Sequence, residues 1–128
     1  MEQGIRVFLA DGHEGYRAGL ARAIGAHPEL VLAGEARDGR EALEQALVLR
    51  PDVVALEVRL DRLGGLDVCR TLTGLDEPVA GQVVLLSGEP NEALAEAARS
   101  AGAAAVLDKS AARTAICGRL VEIGRRRG

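Results

Sequence analysis

The chain is 128 residues long and carries a formal net charge of −3, from 16 Lys+Arg against 19 Asp+Glu. Hydrophobic residues make up 48% and charged ones 27%, a composition that excludes a disordered chain and is enough for one domain with an unstapled core. The acidic balance excludes a basic nucleic-acid-binding face, and aromatics at 2%, Phe8 and Tyr16 alone, exclude base-stacking platforms.

Ile5–Ala10 opens the chain as a near-continuous apolar run, the pattern a strand needs when both its faces are buried. Tyr16, Leu20 and Ile24 then repeat at helical spacing, and Leu30–Ala36 is a second apolar run. Asp38 and Glu41 form a capping box ahead of Leu43, Ala46 and Leu47, and Pro51 marks that helix's end. Val53–Leu56 is the third run, followed by helical spacing over Val68–Leu72. Val83–Leu86 is the fourth, followed by a helix over Leu94–Ala101 that Gly102 stops. Ala103–Leu107 is the fifth run. Ile116, Leu120 and Ile123 then stripe a last helix, where Cys117 and Val121 widen the apolar face toward either core or self-association. Strand and helix alternate five times, which predicts right-handed crossovers and a parallel sheet covered on both faces. The expected fold is a three-layer α/β/α sandwich, flavodoxin-like, with strand order 2-1-3-4-5.

Cys69 and Cys117 are too few for a disulfide framework and are not spaced as metal ligands, so each reads as a small buried hydrophobe. No run is long enough to cross a bilayer and the N-terminus lacks a signal-peptide pattern, which makes the reducing cytoplasm the expected compartment.

Ligands in this architecture bind at the carboxyl ends of the strands. The residues delivered there are Asp11 after the first run, Glu57 after the third, Ser87 after the fourth and Lys109 after the fifth. Strand ends are polar in most proteins, but two acids, a hydroxyl and an ammonium on one rim point to a site. His13-Glu14 lacks the second histidine of a metalloprotease motif, since Arg17 stands there, and His13 reads as a loop residue. Gly12 and Gly15 have neither dinucleotide nor Walker spacing, and Arg125–Arg127 suit a helix C-terminus electrostatically.

Seven segments carry a family likeness: Ile5–His13, Arg17–Leu20, Asp38–Leu43, Pro51–Glu57, Gly65-Leu66, Val83–Gly88 and Ala101–Lys109. Together they span essentially the whole chain. It resembles the receiver domain of bacterial two-component response regulators, most closely receivers joined to a LuxR/NarL-type helix-turn-helix. The resemblance implies a pair of acids for Mg²⁺ after the first strand and a phosphoacceptor Asp after the third. It also implies a Ser/Thr and a Lys that grip the phosphoryl oxygens. Asp11, Ser87 and Lys109 match that pattern. Gly12 replaces the second acid, Glu57 stands at the phosphoacceptor position, Val106 replaces the switch aromatic, and Asp61 replaces a common proline.

These departures lead us to expect weak or absent Mg²⁺ binding at Asp11, no phosphorylation of Glu57, and no bistable element at Val106, a residue stiff at χ1. The expectation is one receiver-like domain over residues 1–128, not an enzyme, with Glu57 and Lys109 permanently paired. It would be an atypical receiver in bacterial signalling and transcription regulation, acting on a protein partner or a second copy of itself. A linked DNA-binding domain would lie outside the chain, and the domain itself would contact neither nucleic acid nor membrane. Two other readings stay open: a small anion held by Lys109, Ser87 and the Gly88 loop amides, and an α/β enzyme with Asp11 and Glu57 as its acid/base pair.

Overall fold

The computed structural model describes residues 4–76 and 81–126. Its elements alternate as β1 (Ile5–Ala10), α1 (Glu14–Ala26), β2 (Leu30–Ala36), α2 (Gly39–Leu49), β3 (Val53–Glu57), α3 (Gly65–Thr73), β4 (Gln82–Ser87), α4 (Glu92–Ser100), β5 (Ala105–Asp108) and α5 (Arg113–Gly124). The strands form one sheet in the order β2-β1-β3-β4-β5, every pair parallel. Fold class and strand order are those the sequence predicts.

Strand parity divides the core in two. On one face Val7, Leu9, Val53, Ala55, Val84 and Leu86 pack with Leu20 and Ile24 of α1 and Ile116, Leu120 and Ile123 of α5. On the other, Phe8, Ala10, Val54, Leu56, Val83 and Leu85 pack with residues of α2, α3 and α4. Successive side chains of a strand point to opposite faces, so each central strand must be apolar throughout. The run then stops where the strand leaves the core, and polar residues take over at the rim.

Cys117 and Val121 lie buried within the first cluster beside Ile116 and Leu120. The wide apolar face of α5 is therefore core, and it does not offer the self-association surface that the sequence left open. The fifth strand starts at Ala105 rather than Ala103. Gly102 takes φ +89° at the end of α4, and the amides of Gly102 and Ala103 turn back onto the carbonyls of Arg99 and Ala98 at 3.1 and 2.9 Å. A left-handed glycine with those two bonds is a helix stop, so the apolar Ala103 belongs to the cap. The capping box of α2 is also offset. Asp38 Oδ1 accepts from the Glu41 amide at 2.9 Å, but Glu41 Oε1 accepts from Arg37 rather than from Asp38.

Both cysteines are free and buried, and the Cys69 Sγ donates to the Ala101 carbonyl at 3.4 Å. Burial pushes the Cys69 thiol up to about 11 from an ordinary 9.0, and pushes Cys117 up as well. The folded state thus prefers the protonated thiol. Its contribution to stability is intact below the thiol's ordinary value and is lost as pH climbs through about 11. Native protein should resist iodoacetamide at pH near 8 and react at both cysteines once denatured. Rapid native alkylation would contradict the burial.

Candidate functional site

Five loops leave the carboxyl edge of the sheet, and the same local device shapes the four after β1, β3, β4 and β5. Asp11 Oδ1 accepts from the His13 amide at 2.8 Å, and Glu57 Oε2 accepts a short bond from the Arg59 amide. Ser87 Oγ accepts from the Glu89 amide at 3.0 Å, and Asp108 Oδ1 from the Ser110 amide at 2.8 Å. A polar side chain that caps the amide two residues on mimics a turn and bends the chain away from the strand. The two bonds from Ser110, amide and hydroxyl, hold the Asp108 carboxyl below its ordinary range. The strand-end residues are turn-formers before they are anything else.

Three of the four residues singled out from sequence meet in space. Lys109 Nζ lies 2.6 Å from Asp11 Oδ2 and 3.3 Å from Glu57 Oε1. Asp11 is fully buried, and Glu57 is only 4% exposed. Oδ2 of Asp11 accepts no directed hydrogen bond among the described residues, so the nearby ammonium holds it by charge rather than by an aligned N–H. Two buried carboxylates thus share one cation. The fourth residue, Ser87, lines the same cleft, but its hydroxyl oxygen is turned to the Glu89 amide.

Glu57 owes its reach to its extra methylene and its position to a glycine. A Cβ on Gly65 would stand 2.4 Å from the Glu57 carbonyl oxygen, so only glycine lets α3 start against the end of β3. With β3 fixed there, the longer side chain engages both oxygens, one with the Arg59 amide and one facing Lys109.

The sequence assigned His13 to a loop, and the loop placement holds, since His13 is the residue preceding α1. Its ring, however, folds back over the site. Nδ1 sits 3.2 Å from Asp11 Oδ1, 3.7 Å from Glu57 Oε1 and 3.4 Å from Lys109 Nζ. The signal available in the sequence was the spacing itself: an Asp-x-X turn returns residue 13 toward residue 11. Arg17 and Tyr16 also reach the site, a role their positions in the sequence did not assign them. Arg17 donates to the Asp11 carbonyl at 2.8 Å while pairing with Glu35 at 3.2 Å, which ties α1 to β2 beneath the site. Tyr16 places its ring 4.4 Å from Lys109 Nζ and 4.8 Å from the Arg113 guanidinium carbon, a face between two cations. Burial pushes the Tyr16 phenol above its ordinary value, with the Arg113 charge pulling the other way.

Outside this knot lies an open cleft of about 660 Å³, whose walls include Tyr16, Arg59, Gly88, Asn91 and Leu94. Arg59 pairs with Glu89 at 3.6 Å and Lys109 faces two carboxylates, so each of these two cations on the cleft wall already has a counter-charge. That weighs against a small anion as the occupant. No helix among the described residues is long and apolar enough to cross a membrane.

A family model for the response regulator receiver domain matches residues 7–121. The DNA-binding transcriptional activator DevR/DosR of Mycobacterium tuberculosis is 40% identical over 93 residues, covering 73% of this chain and 42% of that protein. Protein-glutamate methylesterase/protein-glutamine glutaminase 4 of Myxococcus xanthus is 38% identical over 106 residues, covering 82% of this chain and 30% of its own length. The solved signal receiver domain of the putative response regulator NarL from Mycobacterium tuberculosis superposes with a TM-score of 0.92 at 30% identity, covering 98% of this chain and 100% of that one. The chain thus corresponds to less than half the length of the two curated relatives described.

Proposed function

Because the chain belongs to the response regulator receiver domain family, we propose that it is a receiver working without a phosphoryl label, its output fixed by the pairing of Glu57 and Lys109 and delivered by contact with a protein partner. One observation carries this reading: both oxygens of the residue at the acceptor position are engaged, Oε2 by the Arg59 amide and Oε1 opposite Lys109 at 3.3 Å. A phosphoacceptor needs one oxygen free to attack in line, and it needs nearby donors to receive the transferred group. Here the loop amide and the ammonium are both turned to the protein's own carboxylate, so an incoming phosphoryl group would have to displace an internal anion first.

Mg²⁺, which such sites ordinarily use, does not fit the residues present. It demands octahedral oxygen ligation with several waters and carboxylate charge. Gly12 supplies no ligand, the third donor near Asp11 and Glu57 is the nitrogen of His13, and the Lys109 ammonium stands 2.6 Å from Asp11. Two carboxylates against one ammonium leave a local charge of about −1, a poor field for a small hard dication.

Glu57 imitates a phosphoryl group only in part, with a single negative charge and two oxygens where the label has more of each. It supplies a constant anion beside Lys109, and Val106 at the customary aromatic position gives that anion no rotor to move. The unit over residues 1–128 therefore has one state to present rather than two. Transcription regulation through a linked DNA-binding domain is supported by a relative that is a DNA-binding transcriptional activator. An acid/base enzyme is disfavoured because Asp11 and Glu57 share one cation and Glu57 lines an open cleft rather than an enclosed apolar one.

The test is incubation with acetyl phosphate and Mg²⁺ followed by intact-mass and peptide mass spectrometry. No phosphoryl adduct is expected. A stoichiometric adduct on Glu57 would overturn the reading.

A further inference from the structure

We infer that Tyr16 is a positioning residue for Lys109: its ring holds the ammonium beside Asp11 and Glu57, and Arg113, drawn to the same ring, sets how firmly. The inference rests on the reading that the Glu57–Lys109 pair is the working state of the rim. Lys109 Nζ lies 4.4 Å from the centre of the Tyr16 ring, and the Arg113 guanidinium carbon lies 4.8 Å from it. Both are within the range over which a ring quadrupole attracts a cation. That attraction is strongest where water is excluded, and only 11% of the Lys109 side chain is exposed.

A core role alone does not account for a tyrosine here. The ring packs against the cluster that α1 and α5 share, as an aliphatic side chain would also do. The Tyr16 hydroxyl oxygen is buried and has no hydrogen-bond partner among the described residues. An unpartnered buried hydroxyl is destabilising, so the ring must supply something that a leucine could not. Its π face against two cations does so.

Arg113 is equally out of place by local rules. It is the first residue of α5, where the helix dipole disfavours a cation. The Ala112 cap makes no side-chain bond, and no acid stands in the first turn. The guanidinium lies instead over α1 at Gly19, where a Cβ would stand 2.8 Å from Arg113 Nε and 3.0 Å from Nη2. Bare backbone at Gly19 is what lets the arginine reach the ring. Two cations against one ring repel each other and divide its attraction. Removing the charge of Arg113 therefore leaves Lys109 more firmly held, and removing the ring leaves it less so. Arg113 is exposed, so whatever neutralises it from outside tightens the pair at the rim.

Lys109 is the only lysine of the chain, which makes it a reporter of its own confinement. The experiment is acetylation by an N-hydroxysuccinimide ester at fixed pH, with the Lys109 rate read by peptide mass spectrometry. Tyr16→Leu should speed acetylation about tenfold, the factor that a partly desolvated cation–π contact represents. Tyr16→Phe keeps the ring and should match wild type, with stability to urea unchanged or higher because the orphaned hydroxyl is gone. Arg113→Gln should slow acetylation about twofold, and Gly19→Ala should act in the same direction. Iodoacetamide labelling of the buried Cys69 and Cys117 in the same samples reports opening of the fold and should stay slow throughout. The assignment would be overturned by an unchanged rate in Tyr16→Leu, or by a rise there that cysteine labelling matches. It would equally be overturned if Tyr16→Phe reacted like Tyr16→Leu, or if Arg113→Gln reacted faster than wild type. No phosphoryl donor is present, so failure here would leave the label-free reading standing. A phosphoryl adduct on Glu57 would sink that reading and leave these rates untouched.

Discussion

Replacing Lys109 by methionine is expected to destabilise the domain by about 3–5 kcal/mol, the usual cost of removing one partner from a buried ion pair. Its ammonium is the cation shared by Asp11, fully buried, and Glu57, nearly so. Without it two carboxylates face each other in a poorly solvated rim with no shared cation between them. The partner substitution behaves differently. From sequence alone, Glu57→Gln should strand Lys109. With Asp11 Oδ2 at 2.6 Å the ammonium keeps a counter-charge, so the loss shrinks to about 1–2 kcal/mol, mostly the charge-assisted bond to the Arg59 amide. Urea titrations of the two variants check the order. Equal losses would mean that Lys109 is not shared as described.

Much of this site can be read from residue order, and the part that cannot has a physical reason. Strands buried on both faces announce themselves as unbroken apolar runs, and the residue at which each run ends is necessarily at the rim. Asp11, Glu57 and Ser87 follow from that rule, and Lys109 stands one residue beyond Asp108, at which the fifth run ends. What periodicity does not carry is the direction of a side chain after the strand has ended. His13 is two residues beyond Asp11, and whether its ring faces solvent or the acids depends on the turn closed by Asp11 Oδ1. Ser87 shows the converse. It lies where the sequence puts it, yet its hydroxyl oxygen takes the Glu89 amide. Ala103 is a third case, apolar and adjacent to a strand but enrolled in the cap of α4 by the positive φ of Gly102. In each, a hydrogen bond between near neighbours decides what the alternation of polar and apolar residues leaves open.

The recurrent turns also explain why the shape of the rim does not depend on its chemistry. Asp11, Glu57, Ser87 and Asp108 each satisfy an amide two residues ahead, so each is retained by the architecture whether or not a reaction uses it. Glutamate can replace aspartate at residue 57 because its carboxylate still reaches the Arg59 amide, now with the second oxygen carried toward Lys109. Gly12 carries no side chain to make a comparable bond, so the turn itself demands no acid there.

If the label-free reading holds, placing acids of the family pattern at both positions should confer phosphoryl uptake. A Cβ at residue 12 would meet only the Arg37 carbonyl oxygen, at 3.3 Å, so Gly12→Asp is accommodated with a small adjustment. Glu57→Asp withdraws the carboxylate by up to about 1.5 Å, one carbon–carbon bond, which frees the space between the Arg59 amide and Lys109. Together they raise the local carboxylate charge to three against one ammonium and supply the oxygen donors that Mg²⁺ requires. The double variant is expected to acquire a Mg²⁺-dependent phosphoryl adduct on residue 57 from acetyl phosphate, at a rate at least about a hundredfold above wild type. Either single change should fall far short, since one leaves the attacking oxygen misplaced and the other leaves the metal unheld. Mass spectrometry with and without EDTA reads the outcome. A double variant that stays unlabelled would move the fault to Ser87, whose hydroxyl would have to turn away from the Glu89 amide to meet a phosphoryl oxygen. Val106 is unchanged throughout, so labelling without a rearrangement of α4 and β5 is the expected companion result, visible as amide shifts confined to the rim.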